Sequence, residues 1–212
     1  MPITEKTVMQ TEVIYNDTRT HRYLLRKEWD KEKLSAAIIM LYPSYADTVT
    51  VDHTTMFVLS NLERLGYGSV NIVNLFSSLN GKNCKTDIDD NNIFYITEAV
   101  KEVETVIWAV GTGADNCKKV LEQQKLILEI LEEFKGKMKC IADTRGKKFY
   151  HPLCPAVRKW ILEDFDYSEL RAFREEETDT TEGTTEIIIV EKEDMTVNED
   201  KKKTKKNKSQ AP

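Results

Sequence analysis

Residues 36–41, Ala-Ala-Ile-Ile-Met-Leu, form an unbroken apolar run that is too short for an ordinary helix. Such a run reads as a central β-strand buried on both faces. Pro43 stops it, because proline has no N–H to give a sheet ladder. The chain then turns polar at once, through Ser44, Asp47, Thr48, Thr50, Asp52, His53 and Thr54. Open α/β folds build their sites where a buried strand ends in a polar loop of this kind. The run therefore constrains the fold and marks where a site belongs, but names no reaction.

The flanking sequence agrees with that reading. Residues 8–15 and 22–29 carry strand-forming residues, and Asn16-Asp17-Thr18 supplies turn chemistry between them. An antiparallel hairpin at one edge of the sheet is expected. Residues 53–65 read as a helix with Met56, Leu59 and Leu62 on one face, Asp52 as N-cap and Gly66 as its stop, with Gly68 loosening the turn. Strands follow at 69–76, 105–110 and 138–142, and helices at 91–103 and 118–134, the latter capped by Asp115 or Asn116. Residues 77–90 read as a long polar loop, and 155–165 as a short helix containing Trp160, Ile161 and Leu162.

The alternation of strand and helix between residues 36 and 142 is the α/β pattern. Right-handed crossovers then give a three-layer fold: a mostly parallel central sheet with helices on both faces. Residues 1–170 are expected to form this single domain. Residues 175–200 are acidic and threonine-rich and 201–208 almost all lysine, so residues 171–212 read as a disordered charged tail. Residues 187–190 are its one apolar island, able to pair with a sheet edge.

Charge and motifs narrow the function classes. The net charge of −5 provides no global attraction to nucleic acid, although a local basic groove stays open. Cys84, Cys117, Cys140 and Cys154 form no CxxC pair, and the first ten residues are polar without a signal-peptide core. Reduced cysteines in a cytoplasm are expected. No apolar run approaches the ~20 residues that span a bilayer, so no membrane partner is expected. HxxxH, HExxH and paired-cysteine ligand sets are absent, so neither metal nor cofactor is expected. Gly111-Thr112-Gly113 lacks GxGxxG spacing and a P-loop lysine. No GxSxG elbow is present, so Ser44 lacks the usual strand-nucleophile-helix context of a hydrolase.

Each candidate side chain has a structural reading beside its functional one. Asp52 can be a plain helix cap, and Asn74 can satisfy backbone where its strand stops. His21 and His53 read as surface residues. His151 follows a polar loop and precedes Pro152, and either a catalytic role or a bond to a backbone carbonyl suits it.

RYLLRKEWD, IIMLYPSYAD, DHTT, GYGSVNIVNLF, WAVGTG and HPL occur in that order. Together they resemble the bacterial and phage family called domain of unknown function 1643, with its RYxLxRxW, IMLNPSxAD, DxT, GY, NLF, WG and HPL pattern. The resemblance covers residues 22–153. It implies site roles for Pro43, Ser44, Asp47, Asp52, Thr54, Asn74, Asn92, Gly111, His151 and Pro152. One departure stands at Tyr42, where the family usually has Asn. The placement of the motifs is also similar to that in uracil-DNA glycosylase-like proteins. Those carry a Pro-containing polar loop after their first core strand and a His-Pro or Asn-Pro motif after their last. On that analogy Asp47 or Asp52 positions water and His151 stabilises a departing base anion.

Three functions follow. The protein is an enzyme acting on a nucleobase, nucleotide or nucleic acid, or a non-catalytic module binding a nucleotide or nucleic acid, or a protein-interaction protein working through its tail. The first two predict that the loops at 42–52, 74–80, 111–115 and 143–151 converge at one sheet edge. The first also predicts that Asp47, Asp52, Asn74 and His151 converge in one pocket, with His151 within ~10 Å of Asp47 or Asp52, the span of a small-molecule site. The second predicts the same crevice without a water-positioning carboxylate near His151.

Overall fold

The computed structural model describes residues 2–79, 89–113 and 115–170. Its seven strands are β1 (Gln10–Tyr15), β2 (Arg22–Glu28), β3 (Leu34–Met40), β4 (Tyr67–Asn74), β5 (Thr105–Trp108), β6 (Met138–Ala142) and β7 (Ile161–Asp164). Three α-helices connect the parallel ones: α1 (His53–Arg64), α2 (Asp90–Lys101) and α3 (Lys118–Ile130). The sheet order is β1-β2-β4-β3-β5-β6-β7, with β4, β3, β5 and β6 mutually parallel. The β1–β2 hairpin pairs antiparallel onto β4 at one side, and β7 pairs antiparallel onto β6 at the other.

The apolar run is the middle of this sheet. Ala36, Ile38 and Met40 face Val58 and Leu62 of α1, while Ala37 and Ile39 face the side covered by Ile96 and Val100 of α2 and Ile127 and Leu128 of α3. Ala36 to Ile39 are 0% exposed, as a strand covered on both faces must be. Each fully buried Ile or Leu contributes about 1.5–3 kcal/mol. The parallel part starts at the centre with β3, moves out to β4 through α1, then recrosses on the opposite face through α2 to β5. Loops after β3 and β5 therefore leave in opposite directions, which opens a crevice at their carboxyl ends.

Local chemistry sets the element ends. Asp52 caps α1, its Oδ1 accepting the Thr55 N–H at 2.8 Å, and Gly66 closes it at φ +88°. Gly68 does not loosen a turn, since β4 begins at Tyr67 and includes it. A Cβ there would stand 1.9 Å from the Asp30 carbonyl oxygen. Its absence lets the Trp29 and Asp30 amides both donate to the Gly68 carbonyl, at 2.8 and 3.0 Å.

Two further expectations are corrected. Residues 155–165 are not a helix but a 3₁₀ turn, Pro155–Val157, followed by β7. The outer edge of β6 carries unpaired ladder groups, and Ile161–Asp164 satisfies them. Trp160 and Phe165, five residues apart, pack on opposite faces, as strand alternation requires. In α3 neither Asp115 nor Asn116 is the N-cap; Cys117 is, without a side-chain bond, and the helix gives way to a 3₁₀ turn at Glu132–Lys137.

Cys140 and Cys154 are free thiols, and Cys140 is fully buried. Cys117 is disulfide-bonded, which corrects the expectation of reduced thiols at that position. Among the described residues, no helix is long and apolar enough to cross a membrane. Cys84, most of the 77–90 loop, and the tail with its 187–190 island lie outside the described residues.

Candidate functional site

A cavity of about 570 Å³ opens at the carboxyl ends of β3, β5 and β6. Leu41 and Tyr42 reach it from the loop after β3, Gly111, Thr112 and Gly113 from the loop after β5, and Lys147 to His151 with Cys154 from the segment after β6. This is the crevice that the strand order creates.

The loop after β3 is held from a distance. Arg22, at the start of β2, is 1% exposed. Its Nη1 donates to the carbonyls of Ser44 and Ala46 at 3.1 and 2.8 Å, and its Nη2 to Asn74 Oδ1 at 3.3 Å. Burial lowers the guanidinium to about 10, which leaves it charged at neutral pH. Asn92 of α2 completes the anchor by donating to the Asn74 and Leu75 carbonyls at 3.0 and 3.1 Å. Ser44, Asn74 and Asn92 are thus joined around one buried cation. Tyr42, in place of the family's Asn, stacks on Phe76 with ring centroids 5.3 Å apart.

Asp47 organises its own turn. Its Oδ1 accepts the Val49 and Thr50 amides at 2.8 and 2.7 Å, and those bonds, Thr50's first, hold its carboxyl below the ordinary value. Its backbone carbonyl faces the buried ammonium of Lys27 at 3.5 Å. Lys27 Nζ also donates to Thr11 Oγ1 at 3.2 Å, and burial lowers the pKa of that amine.

The segment after β6 is held locally. Asp143 accepts the Arg145 and Lys147 amides at 2.8 and 3.0 Å and the Tyr150 hydroxyl at 2.9 Å. Burial pushes its carboxyl up, but these donors outweigh it and hold the group at about 2. Phe149 adopts φ +63°, strained for a residue with a Cβ, and its ring packs edge-on to Phe165. Lys148 is engaged by Glu169 at 2.8 Å, whereas Lys147 lies over the Tyr150 ring.

His151 sits where these loops join. A Cβ on Gly111, which has φ +77°, would stand 2.8 Å from the His151 Cβ, so the backbone and Cβ of His151 pack directly against that glycine. The Leu153 N–H donates to His151 Nδ1 at 3.2 Å. An accepting Nδ1 carries the lone pair, so the ring proton of the neutral form is on Nε2. Burial lowers the imidazole pKa from 6.5, and the Asp52 charge acts in the opposite sense. His151 is therefore a neutral donor at neutral pH, in the field of the α1 cap.

Of the residues singled out from sequence, Gly111 and His151 line the cavity. Asp52 acts on it through its charge. Pro43, Ser44, Asn74 and Asn92 belong to the loop and its anchor, Thr54 lies in the first turn of α1, and Asp47 faces Lys27. Sequence reasoning missed Arg22, Tyr42 as a wall, and the run Lys147 to Tyr150. Arg22 opens the first motif of the resemblance, which was the available signal for it. Among the described residues, no group of three or more His, Cys, Asp or Glu side chains could hold a metal ion.

A family model described as "Protein of unknown function (DUF1643)" matches residues 22–153, more than half of the chain. No curated protein and no solved structure matches it.

Proposed function

This chain belongs to the DUF1643 family of proteins of unknown function, and we propose that its cavity binds a nucleobase and cleaves the bond between that base and its sugar. The observation that carries the reading is His151: a neutral imidazole on the cavity wall whose Nε2–H is left to donate. In such a cleavage water adds to the anomeric carbon, the carbon–nitrogen bond breaks, and its electron pair leaves on the base. A fixed donor aimed at that developing anion lowers the barrier. Asp52 has Oδ1 committed to the Thr55 amide, which leaves Oδ2 to accept a proton from the attacking water.

Two features support this. The volume lies within the range of small-molecule sites, about 300–1,000 Å³. The first and last of the four parallel strands, β3 and β6, are followed by Pro43 and by His151-Pro152, the positions occupied in uracil-DNA glycosylase-like proteins. That likeness is one of arrangement and carries no function by itself.

The test is incubation with nucleosides, nucleotides and oligonucleotides, with released base quantified by mass spectrometry. Release is expected, and His151→Ala should slow it about 100-fold or more. Absence of release from every substrate overturns cleavage. A second reading, a non-catalytic nucleobase-binding module, is favoured by one observation: neither Asp47 nor Asp52 is among the residues lining the cavity. It predicts that ligands raise the melting temperature without turnover.

A further inference from the structure

The surface beside the cavity carries more than a lone nucleotide would use. Residues 144–162 contain Arg145, Lys147, Lys148, Arg158 and Lys159 and no acidic residue, in a chain whose net charge is −5. Arg145 is paired with Asp143, and Lys148 with Glu163 and Glu169. Lys147, Arg158 and Lys159 are exposed and have no carboxylate partner among the described residues. The Arg158 guanidinium lies 4.9 Å over the Phe57 ring, and its carbonyl accepts from Asn61, so this cation is fixed beside α1. Immediately before and at the start of α1, the chain exposes Tyr45 (70%), Val49 (87%), Val51 and Met56 to solvent. Exposed cations without a carboxylate partner thus flank α1, whose preceding loop exposes aromatic and aliphatic side chains, and none of Arg158, Lys159 and Tyr45 lines the cavity.

We infer that the base enters this cavity from a single polynucleotide strand and not as a free nucleotide, with Arg158 and Lys159 on neighbouring phosphates and Tyr45 stacked on a neighbouring base. This rests on reading the cavity as a nucleobase site. Strand binding combines a cationic track along the backbone with aromatic faces for the bases. A free nucleotide filling the cavity reaches neither. An unpaired strand fits better than a duplex, because a base in a cavity must already be unstacked.

The experiment uses the full chain, a fluorescein-labelled mixed-sequence oligonucleotide (single-stranded DNA, single-stranded RNA or duplex) and a salt series read by anisotropy. The lysine block at 201–208 contributes equally to wild type and variants, so differences report the edge. The Arg158→Ala/Lys159→Ala double variant should weaken single-strand binding about tenfold. It should also flatten the plot of log affinity against log salt by about 1.4, two phosphates at about 0.7 each. Tyr45→Ala should cost about fivefold or more, the loss of one stacked base. Both variants should keep the wild-type melting temperature and the wild-type response to mononucleotides. Variants that bind the strand with unchanged affinity and slope overturn the inference, as does tighter binding of duplex than of either single strand. Binding of mononucleotides without strands overturns it while leaving the base site intact. Binding of neither removes both.

Discussion

The two loops that border the cavity are each organised around one buried charge, and the charges are opposite. After β3 the organiser is Arg22, which donates to the carbonyls of Ser44 and Ala46. After β6 it is Asp143, which accepts the amides of Arg145 and Lys147. Arg22 comes from a different strand, far away in sequence, whereas Asp143 bonds its immediate neighbours. A local carboxylate can form its turn before the rest of the chain assembles. The arginine-held loop acquires its shape only when β2 and β4 are already paired. The difference teaches that one wall of the site is a local motif and the other a product of the whole sheet.

Substitution at Arg22 should break that comparison most sharply. Arg22→Met removes the donor from three acceptors, of which the Ala46 carbonyl and Asn74 Oδ1 are buried, each buried one costing about 1–3 kcal/mol when unmet. A loss of about 3 kcal/mol or more is expected by urea titration, with proteolytic sensitivity appearing first in the loop at residues 42–52. Wild-type stability would mean that the loop holds itself.

Gly111→Ala attacks the place where the walls meet. An alanine there carries a Cβ at φ +77° and 2.8 Å from the His151 Cβ. About 1–3 kcal/mol should be lost, and the His151 imidazole signals should shift by NMR.

Asp143→Asn is expected to have a smaller effect at neutral pH, and its signature is pH dependence. The carboxyl sits at about 2 when folded against an ordinary 3.8. A depressed acid contributes stability above 3.8 and loses it as pH falls toward 2. The variant should therefore show a flatter acid limb in melting temperature between those values. An unchanged limb would assign the acid sensitivity to other carboxylates.

Asp52→Asn should change stability least, because Asn caps a helix about as well as Asp. It removes the charge that raises the His151 pKa, so the imidazole should titrate at still lower pH by NMR. Because that pKa is already depressed, protonating His151 costs the folded state stability as pH falls below 6.5. A rise in the His151 pKa in this variant would contradict the coupling.

The same contrast explains what the sequence disclosed. Features set within a few residues were legible: the buried run of β3, the Asp52 cap, the Gly66 stop and the hairpin turn. The parallel sheet followed from the strand and helix alternation. β7 was misread because Trp160, Ile161 and Leu162 suit either period, and only the open edge of β6 decides between them. Arg22 was passed over because a buried guanidinium is recognised by its acceptors, which lie more than twenty residues away. Lys147 to Tyr150 were read as a polar connection, since their closeness to Gly111 depends on β5 and β6 being neighbours.

The pairing of Ala142 with Ile161 across β6 and β7 has an evolutionary consequence. Everything between them, from the Asp143 turn through His151 to Trp160, leaves and rejoins the sheet at adjacent rungs. Phe149, Tyr150, Val157 and Trp160 are held in the core, but the largely exposed stretches between them and the sheet or one another, residues 144–147 and 153–156, can be lengthened, shortened or exchanged between relatives without moving the scaffold. Doubling a flexible loop costs only about 0.6 kcal/mol in closure entropy. One wall of the cavity is therefore open to diversification of ligand preference, while the arginine-held wall opposite it is tied to the fold itself.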